Sequence, residues 1–227
     1  LKMAIESTVR RYSPSHLRSE AARSKAATGA RPGSLGGRPE RMPEVLGLEG
    51  SYHGDTIGAM DACEPSLYSE HVAWYRGRGY WITPPTLGIE RGRIVVRAVG
   101  DEWEAQDECL ATLASLDEAY NVRARLATPL AEQYRSMLHA LLERLVRVEG
   151  RRFGALVLEP LVMGAGGMLF IDPLFQRCLV DVVREREDLF RLLDPPLRDA
   201  RAPAPRAPDA WRGLPVVFDE VFTGLFR

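Results

Sequence analysis

Two carboxylates in this chain stand where a folded protein would put them to use. Asp219 closes the apolar run 214–218, and Glu159 closes the apolar run 153–158. Neither run alternates with polar residues, which predicts strands buried on both faces of a parallel sheet. A carboxylate at the end of such a strand is costly unless paired, so Asp219 needs a cationic or strongly donating partner. A protonated pyridine would serve, because a carboxylate that keeps a ring nitrogen protonated lets the ring accept electrons. A helix cap or an arginine pair would satisfy Asp219 equally well on these residues alone.

A third polar group comes from the short strand predicted at 45–48, which runs into Glu49-Gly50-Ser51-Tyr52-His53-Gly54-Asp55, a glycine-flanked turn suited to a site. Tyr52 offers an apolar ring and one hydroxyl; it would also serve as a packed core tyrosine. His53, next to a glycine, is as easily a structural donor and receives no catalytic role. Glycines 164, 166 and 167 follow a strand and a Glu-Pro rather than forming GxxxxGK or GxGxxG, so they predict a loop near the site and not a phosphate cradle.

The elements that must carry these groups are legible in outline. Leu1, Ala4, Ile5 and Val9 recur near helical spacing, and Pro14 ends that helix. Tyr134, Met137, Leu138, Leu141, Leu142 and Leu145 form a helical stripe that Gly150 can terminate. A further helix is entered at Asp172-Pro173, with N-cap and N1 chemistry. Residues 74–85 mix aromatics, Arg, Gly and paired prolines and predict an irregular surface loop at a pocket wall. The segments 13–43 and 190–213, rich in Ser, Ala, Gly, Arg and Pro, predict disordered insertions. Ligands of such a sheet sit beyond the carboxyl ends of its strands, where Glu159 and Asp219 are.

Composition narrows the function. Across 227 residues the formal net charge is -1, which does not point to nucleic acid or an anionic membrane and leaves small molecules or protein as partners. No apolar run reaches the roughly 20 residues that span a bilayer, and the N-terminus lacks a signal-peptide layout. Cys63, Cys109 and Cys178 are odd in number and lack CxxC spacing, which fits a reducing compartment. His16, His53, His71 and His139 show no HExxH pattern, so a metal hydrolase is disfavoured. Leu1 falls inside a helical pattern and Arg227 follows a strand and turn, so both ends are expected to be cut.

Three blocks occur in a telling order: GSYHGDTIGAM, then LEPLVMGAGGM with DPLFQR following, then PVVFDEVFTG. In that order and setting the chain resembles the class III pyridoxal-phosphate aminotransferases. Within that family YHGDTIGAM and GAGGM are most similar to the diaminononanoate synthases of biotin synthesis, and GRGYWITPPT looks fungal or plant-like. The resemblance implies an α/β, fold type I large domain like that of aspartate aminotransferase, with residues 1–227 an incomplete part of it. It implies pyridoxal 5'-phosphate as cofactor, S-adenosylmethionine and 8-amino-7-oxononanoate as substrates, and a homodimer. A fused dethiobiotin synthetase domain and a mitochondrial location, or else a cytoplasmic one, are implied as well.

Carried over by position, the resemblance makes Asp219 the partner of the pyridine nitrogen and packs Val221 against the cofactor ring. Tyr52 would stack near the cofactor and touch substrate. Glu159 would position site groups or pair with a basic side chain, with Asp55 in a similar supporting part. The family also needs a lysine that holds the cofactor as a Schiff base. Lys2 and Lys25 are the lysines present, and both precede Asp219, whereas the family's lysine follows the corresponding strand. The family's phosphate-binding Gly-Ser turn would precede Leu1. The chain by itself is therefore expected to be inactive. Another class III enzyme acting on ω-amino acids or amines, and a non-catalytic pseudoenzyme fragment, remain open on the residues alone.

Overall fold

A computed structural model describes residues 1–12, 43–100, 103, 105–190 and 211–225. The chain runs α1 (Lys2–Tyr12), β1 (Glu44–Leu48), α2 (Ile57–Met60), β2 (Gly79–Ile82), β3 (Thr86–Glu90), β4 (Arg93–Gly100) and β5 (Ala105–Leu113). It continues α3 (Leu116–Tyr120), α4 (Val122–Arg125), α5 (Pro129–Glu143), β6 (Phe153–Leu158), β7 (Val162–Met163), β8 (Leu169–Phe170), α6 (Pro173–Glu185), α7 (Glu187–Phe190) and β9 (Val216–Phe218).

Four strands form a parallel sheet in the order β2-β1-β6-β9. Their register sets Leu46 beside Tyr80 and Leu156, and Leu156 beside Val216, so successive rows of side chains cross the sheet. Leu46, Leu48, Leu156 and Leu158 enter the main core with Leu138 and Leu142 of α5 and Leu179 and Val182 of α6. The alternate residues Val45 and Val157 pack on the other face with Ala62, with Leu1 and with Ile5 of α1. Both faces are covered, as continuous apolar strands require.

Three elements show why these residues fold this way. Thr8 of α1 is fully buried and its hydroxyl donates to Gly154 O of β6 at 2.6 Å. At Gly154 an added Cβ would lie 2.8 Å from the Pro43 ring and 3.3 Å from Ile5, so the glycine permits that close seat. Helix α5 starts with Pro129 at its first turn and buries Tyr134, Leu138, Leu141 and Leu142; it leaves through a π-helical turn, Arg144–Val148, and Gly150 at φ 69°.

Helix α6 begins at Asp172, whose Oδ1 accepts the Leu174 N–H at 3.1 Å. The same fully buried carboxylate receives both ends of the Arg125 guanidinium, at 2.6 and 2.8 Å, and the Tyr134 hydroxyl at 2.9 Å. Burial and the neighbouring carboxylate push the Tyr134 phenol far above its ordinary pKa, so it stays a donor. Tyr134, Phe175 and Trp103 stack around the triad with ring centroids 5.5 to 5.9 Å apart.

Three sequence expectations need correction. Segment 74–85 is not wholly irregular: Gly79–Ile82 is strand β2, hydrogen-bonded parallel to β1 at the sheet edge. Gly79 belongs there because a Cβ would meet Val45 O at 2.7 Å, and the flanking Gly and Pro reflect how short the edge strand is. Thr86–Glu90, Arg93–Gly100 and Ala105–Leu113 form an antiparallel sheet, β3-β4-β5, that the expectation of a mostly parallel fold omitted. The last strand is shorter than 214–218, since Leu214 sits in the core ahead of β9. The expected insertions at 13–43 and 190–213 lie, apart from their edges, outside the described residues. Among the described residues no helix is long and apolar enough to cross a membrane.

Candidate functional site

The carboxyl ends of β1, β6 and β9 converge, and each delivers one of the polar groups singled out above. Asp219 extends the ladder by one residue, its N–H donating to Leu158 O at 2.8 Å. Its Oδ2 lies 2.9 Å from Nδ1 of His53, whose side chain is 6% exposed against 22% for that of Asp219. An ionised carboxylate only accepts, so in that state of Asp219 the Nδ1 of His53 carries the proton. His53, given no role from sequence, is therefore the direct partner of Asp219. The single signal for it was its place beside Tyr52 in the first block; 166 positions separate the pair.

Glu159 is 5% exposed and joins two loops. Its Oε1 accepts the Tyr52 N–H and its Oε2 the Gly164 N–H, both at 3.1 Å. Its own carbonyl accepts from Gln176 Nε2 at 2.8 Å, and Gln176 Oε1 accepts the Leu161 N–H at 3.0 Å. The hydrogen bonds recorded for the Glu159 carboxylate among the described residues come from backbone amides rather than a basic side chain.

The glycine loop fits between the two turns by close approach. A Cβ on Gly166 would stand 2.3 Å from Gly50 O, and one on Gly164 would stand 2.2 Å from the Phe222 ring. Gly50 itself holds φ 78° and gives its N–H to Glu64 Oε2 at 2.8 Å. The Tyr52 ring lies 5.6 Å from that of Tyr68, and a hydrogen bond to the Asp55 carboxylate raises the pKa of its hydroxyl. Val221, two residues past Asp219, is 84% exposed on the following turn.

Three buried polar atoms in this region have no protein partner: Ser51 Oγ, His53 Nε2 and Thr223 Oγ1. Buried polar atoms of this kind call for a partner such as water, an ion or a bound group. A cavity of about 840 Å³ lies elsewhere, between β2 and α5, with walls that include Glu49, Trp81, Trp103 and Met137. Its two indoles donate to backbone carbonyls, Trp81 Nε1 to Ala62 O and Trp103 Nε1 to Thr83 O. No group of three or more His, Cys, Asp or Glu side chains among the described residues could hold a metal ion.

The residues fit a protonated heteroaromatic ring. Asp219 is partly exposed, and among the described residues its Oδ1 accepts no hydrogen bond and its carboxylate pairs with no Arg or Lys. The parallel sheet with helices packed against it defines an α/β protein, and its polar groups gather beyond three strand ends.

No protein-family model matches the chain. Over 81% of its length it is similar to curated bifunctional proteins. It is 48% identical over 186 residues, 22% of the relative, to the bifunctional dethiobiotin synthetase/adenosylmethionine-8-amino-7-oxononanoate aminotransferase of Emericella nidulans. It is 37% identical over 187 residues, 19% of the relative, to the mitochondrial bifunctional dethiobiotin synthetase/7,8-diamino-pelargonic acid aminotransferase of Arabidopsis thaliana. The protein of that name from Oryza sativa subsp. japonica is 35% identical over 191 residues, 20% of its length. The chain thus spans about a fifth of the length of the curated relatives it matches, and the stretch matched is their aminotransferase portion.

Proposed function

We propose that this chain is part of the large domain of a class III aminotransferase of biotin synthesis, of fold type I, which moves an amino group from S-adenosylmethionine to 8-amino-7-oxononanoate. The observation that carries the reading is the Asp219–His53 pair at the end of β9, with unpartnered Ser51, His53 and Thr223 atoms around it. Similarity to the fungal and plant aminotransferases supports the reaction and its substrates.

Pyridoxal phosphate, when bound, supplies an electron sink for breaking the C–H bond beside the reacting nitrogen. Asp219 holds a proton at the ring nitrogen, and His53 fixes the orientation of that carboxylate. Tyr52 supplies an apolar wall with a hydroxyl set by Asp55, and Val221 packs on the ring from the turn beyond Asp219. Glu159 keeps the first turn and the glycine loop in one arrangement. Lys2, exposed on the first turn of α1, and Lys25 are not the covalent anchor in this reading, which comes from a residue outside these 227. A fused dethiobiotin synthetase domain belongs to the same proposal on the pattern of the named relatives, a mitochondrial location on that of the two plant proteins, and a homodimer on the family resemblance alone.

Complementation tests it. The full-length gene is expected to restore growth without biotin to an auxotroph lacking the diaminononanoate step. Folded protein that leaves the auxotroph dependent on biotin, while acting on ω-amino acids, would assign a different class III reaction.

A further inference from the structure

We propose that Cys63 is a positioning residue: its Sγ accepts the backbone N–H of His53 and thereby aims the imidazole at Asp219. The proposal deepens the cofactor-site reading, because the orientation it protects is that of the carboxylate assigned to the ring nitrogen.

The contact is specific. His53 N donates to Cys63 Sγ at 3.1 Å, and the thiol in turn donates to Ala59 O at 3.2 Å. Cys63 is 4% exposed, and burial raises its pKa to about 11, so at neutral pH the sulfur keeps its proton and can donate and accept at once. That protonation makes it a poor nucleophile and leaves geometry as its contribution. It follows α2 directly, its N–H bonded to Met60 O at 2.9 Å, so the helix and the His53 turn meet at one sulfur atom.

The backbone behind Cys63 is unusually well tied. The Tyr75 hydroxyl donates to Cys63 O at 2.8 Å, and Trp81 Nε1 donates to Ala62 O at 2.9 Å. Asp61 accepts the Arg76 N–H at 2.9 Å and pairs with Arg78 Nε at 3.0 Å, while its carbonyl accepts the Arg78 N–H at 2.7 Å. These groups come from the stretch that leads into and forms β2, so the sheet edge holds Cys63 and Cys63 holds the turn. Gly54, next along, sits at φ 105°, a conformation that stiffens nothing by itself. Without the sulfur, the His53 N–H loses its recorded acceptor.

The test reads the imidazole directly. In the intact protein without cofactor, at a pH high enough for the ring to be neutral, ¹⁵N spectra of the His53 ring are expected to show widely separated Nδ1 and Nε2 shifts, the mark of one fixed tautomer. Cys63→Ala should draw the two shifts together as the tautomers average. Cys63→Ser, which restores an acceptor, should return most of the separation. Cys178→Ala removes another buried thiol, whose Sγ lies 3.9 Å from Ala131 O on α5, and should leave the His53 shifts in place. Unchanged separation in Cys63→Ala, averaging in a folded Cys63→Ser protein, or an equal change in Cys178→Ala would each overturn the proposal. If Cys63→Ala does not fold, Cys63→Val, which also removes the acceptor, is read in its place. Because no cofactor is present, the result is independent of pyridoxal phosphate binding to the wild-type protein, whose failure would instead count against the proposed function.

Discussion

Asp219→Asn is expected to weaken pyridoxal phosphate binding and slow transamination in the intact protein by about 30- to 150-fold while leaving the fold in place. Asparagine keeps the shape and can still face His53, but it has no charge to hold a proton on a ring nitrogen. A hydrogen bond to a charged group contributes about 2 to 3 kcal/mol at a partly exposed position, and every 1.4 kcal/mol is about tenfold. Asp219 is suited to that estimate, since its side chain is 22% exposed rather than sealed in the core. Cofactor titration followed by absorbance, with circular dichroism as the check on folding, measures the effect. A variant that binds and turns over like wild type would remove Asp219 from the site.

The largest stability loss is expected at the start of α6. Asp172→Asn keeps the side-chain oxygen that caps α6 but strips the charge that answers Arg125. Both partners are buried, Asp172 completely and Arg125 to 5% exposure. Removing one member of such a pair leaves the other charge stranded and costs about 3 to 5 kcal/mol. For a domain of this size each kcal/mol shifts the midpoint by roughly 2 to 4 °C, so thermal unfolding should move down by about 6 to 20 °C. A shift under a degree or two would mean that the guanidinium finds water or another acceptor.

What could be read before folding was what periodicity encodes. The runs at 45–48 and 153–158 were legible as buried strands because both faces are covered, and α5 because its stripe repeats at 3.6 residues. The start of α6 was legible because Asp-Pro is local cap chemistry, satisfied in place by the Leu174 N–H. Strand β2 was hidden by its own neighbours: four residues beside Arg78 and ahead of Pro84 read as a loop, and its pairing with β1 is a tertiary fact. The β3–β4 hairpin turns on Arg91 and Gly92, both with positive φ, a two-residue turn that the short Arg-Gly step announces only weakly.

The site divides in the same way. Asp219 and Glu159 stood out because a carboxylate after an apolar run is expensive. Their actual partners did not, because side-chain direction across 166 residues, as between His53 and Asp219, leaves no periodic trace. The glycines at 164 and 166 were legible as a loop near the site, but their reason for being glycine is contact with Phe222 and with Gly50 O, which the fold alone creates. The same holds for Cys63, an isolated cysteine in sequence and a hydrogen-bond acceptor for the site's histidine in the structure.

The most direct measurement is the reaction itself: purified intact protein, incubated with pyridoxal phosphate, S-adenosylmethionine and 8-amino-7-oxononanoate, and analysed by mass for 7,8-diaminononanoate. Product that requires both substrates and falls sharply in Asp219→Asn is the expected result. Folded, cofactor-loaded protein that makes no diaminononanoate, or makes it equally well without Asp219, would contradict it.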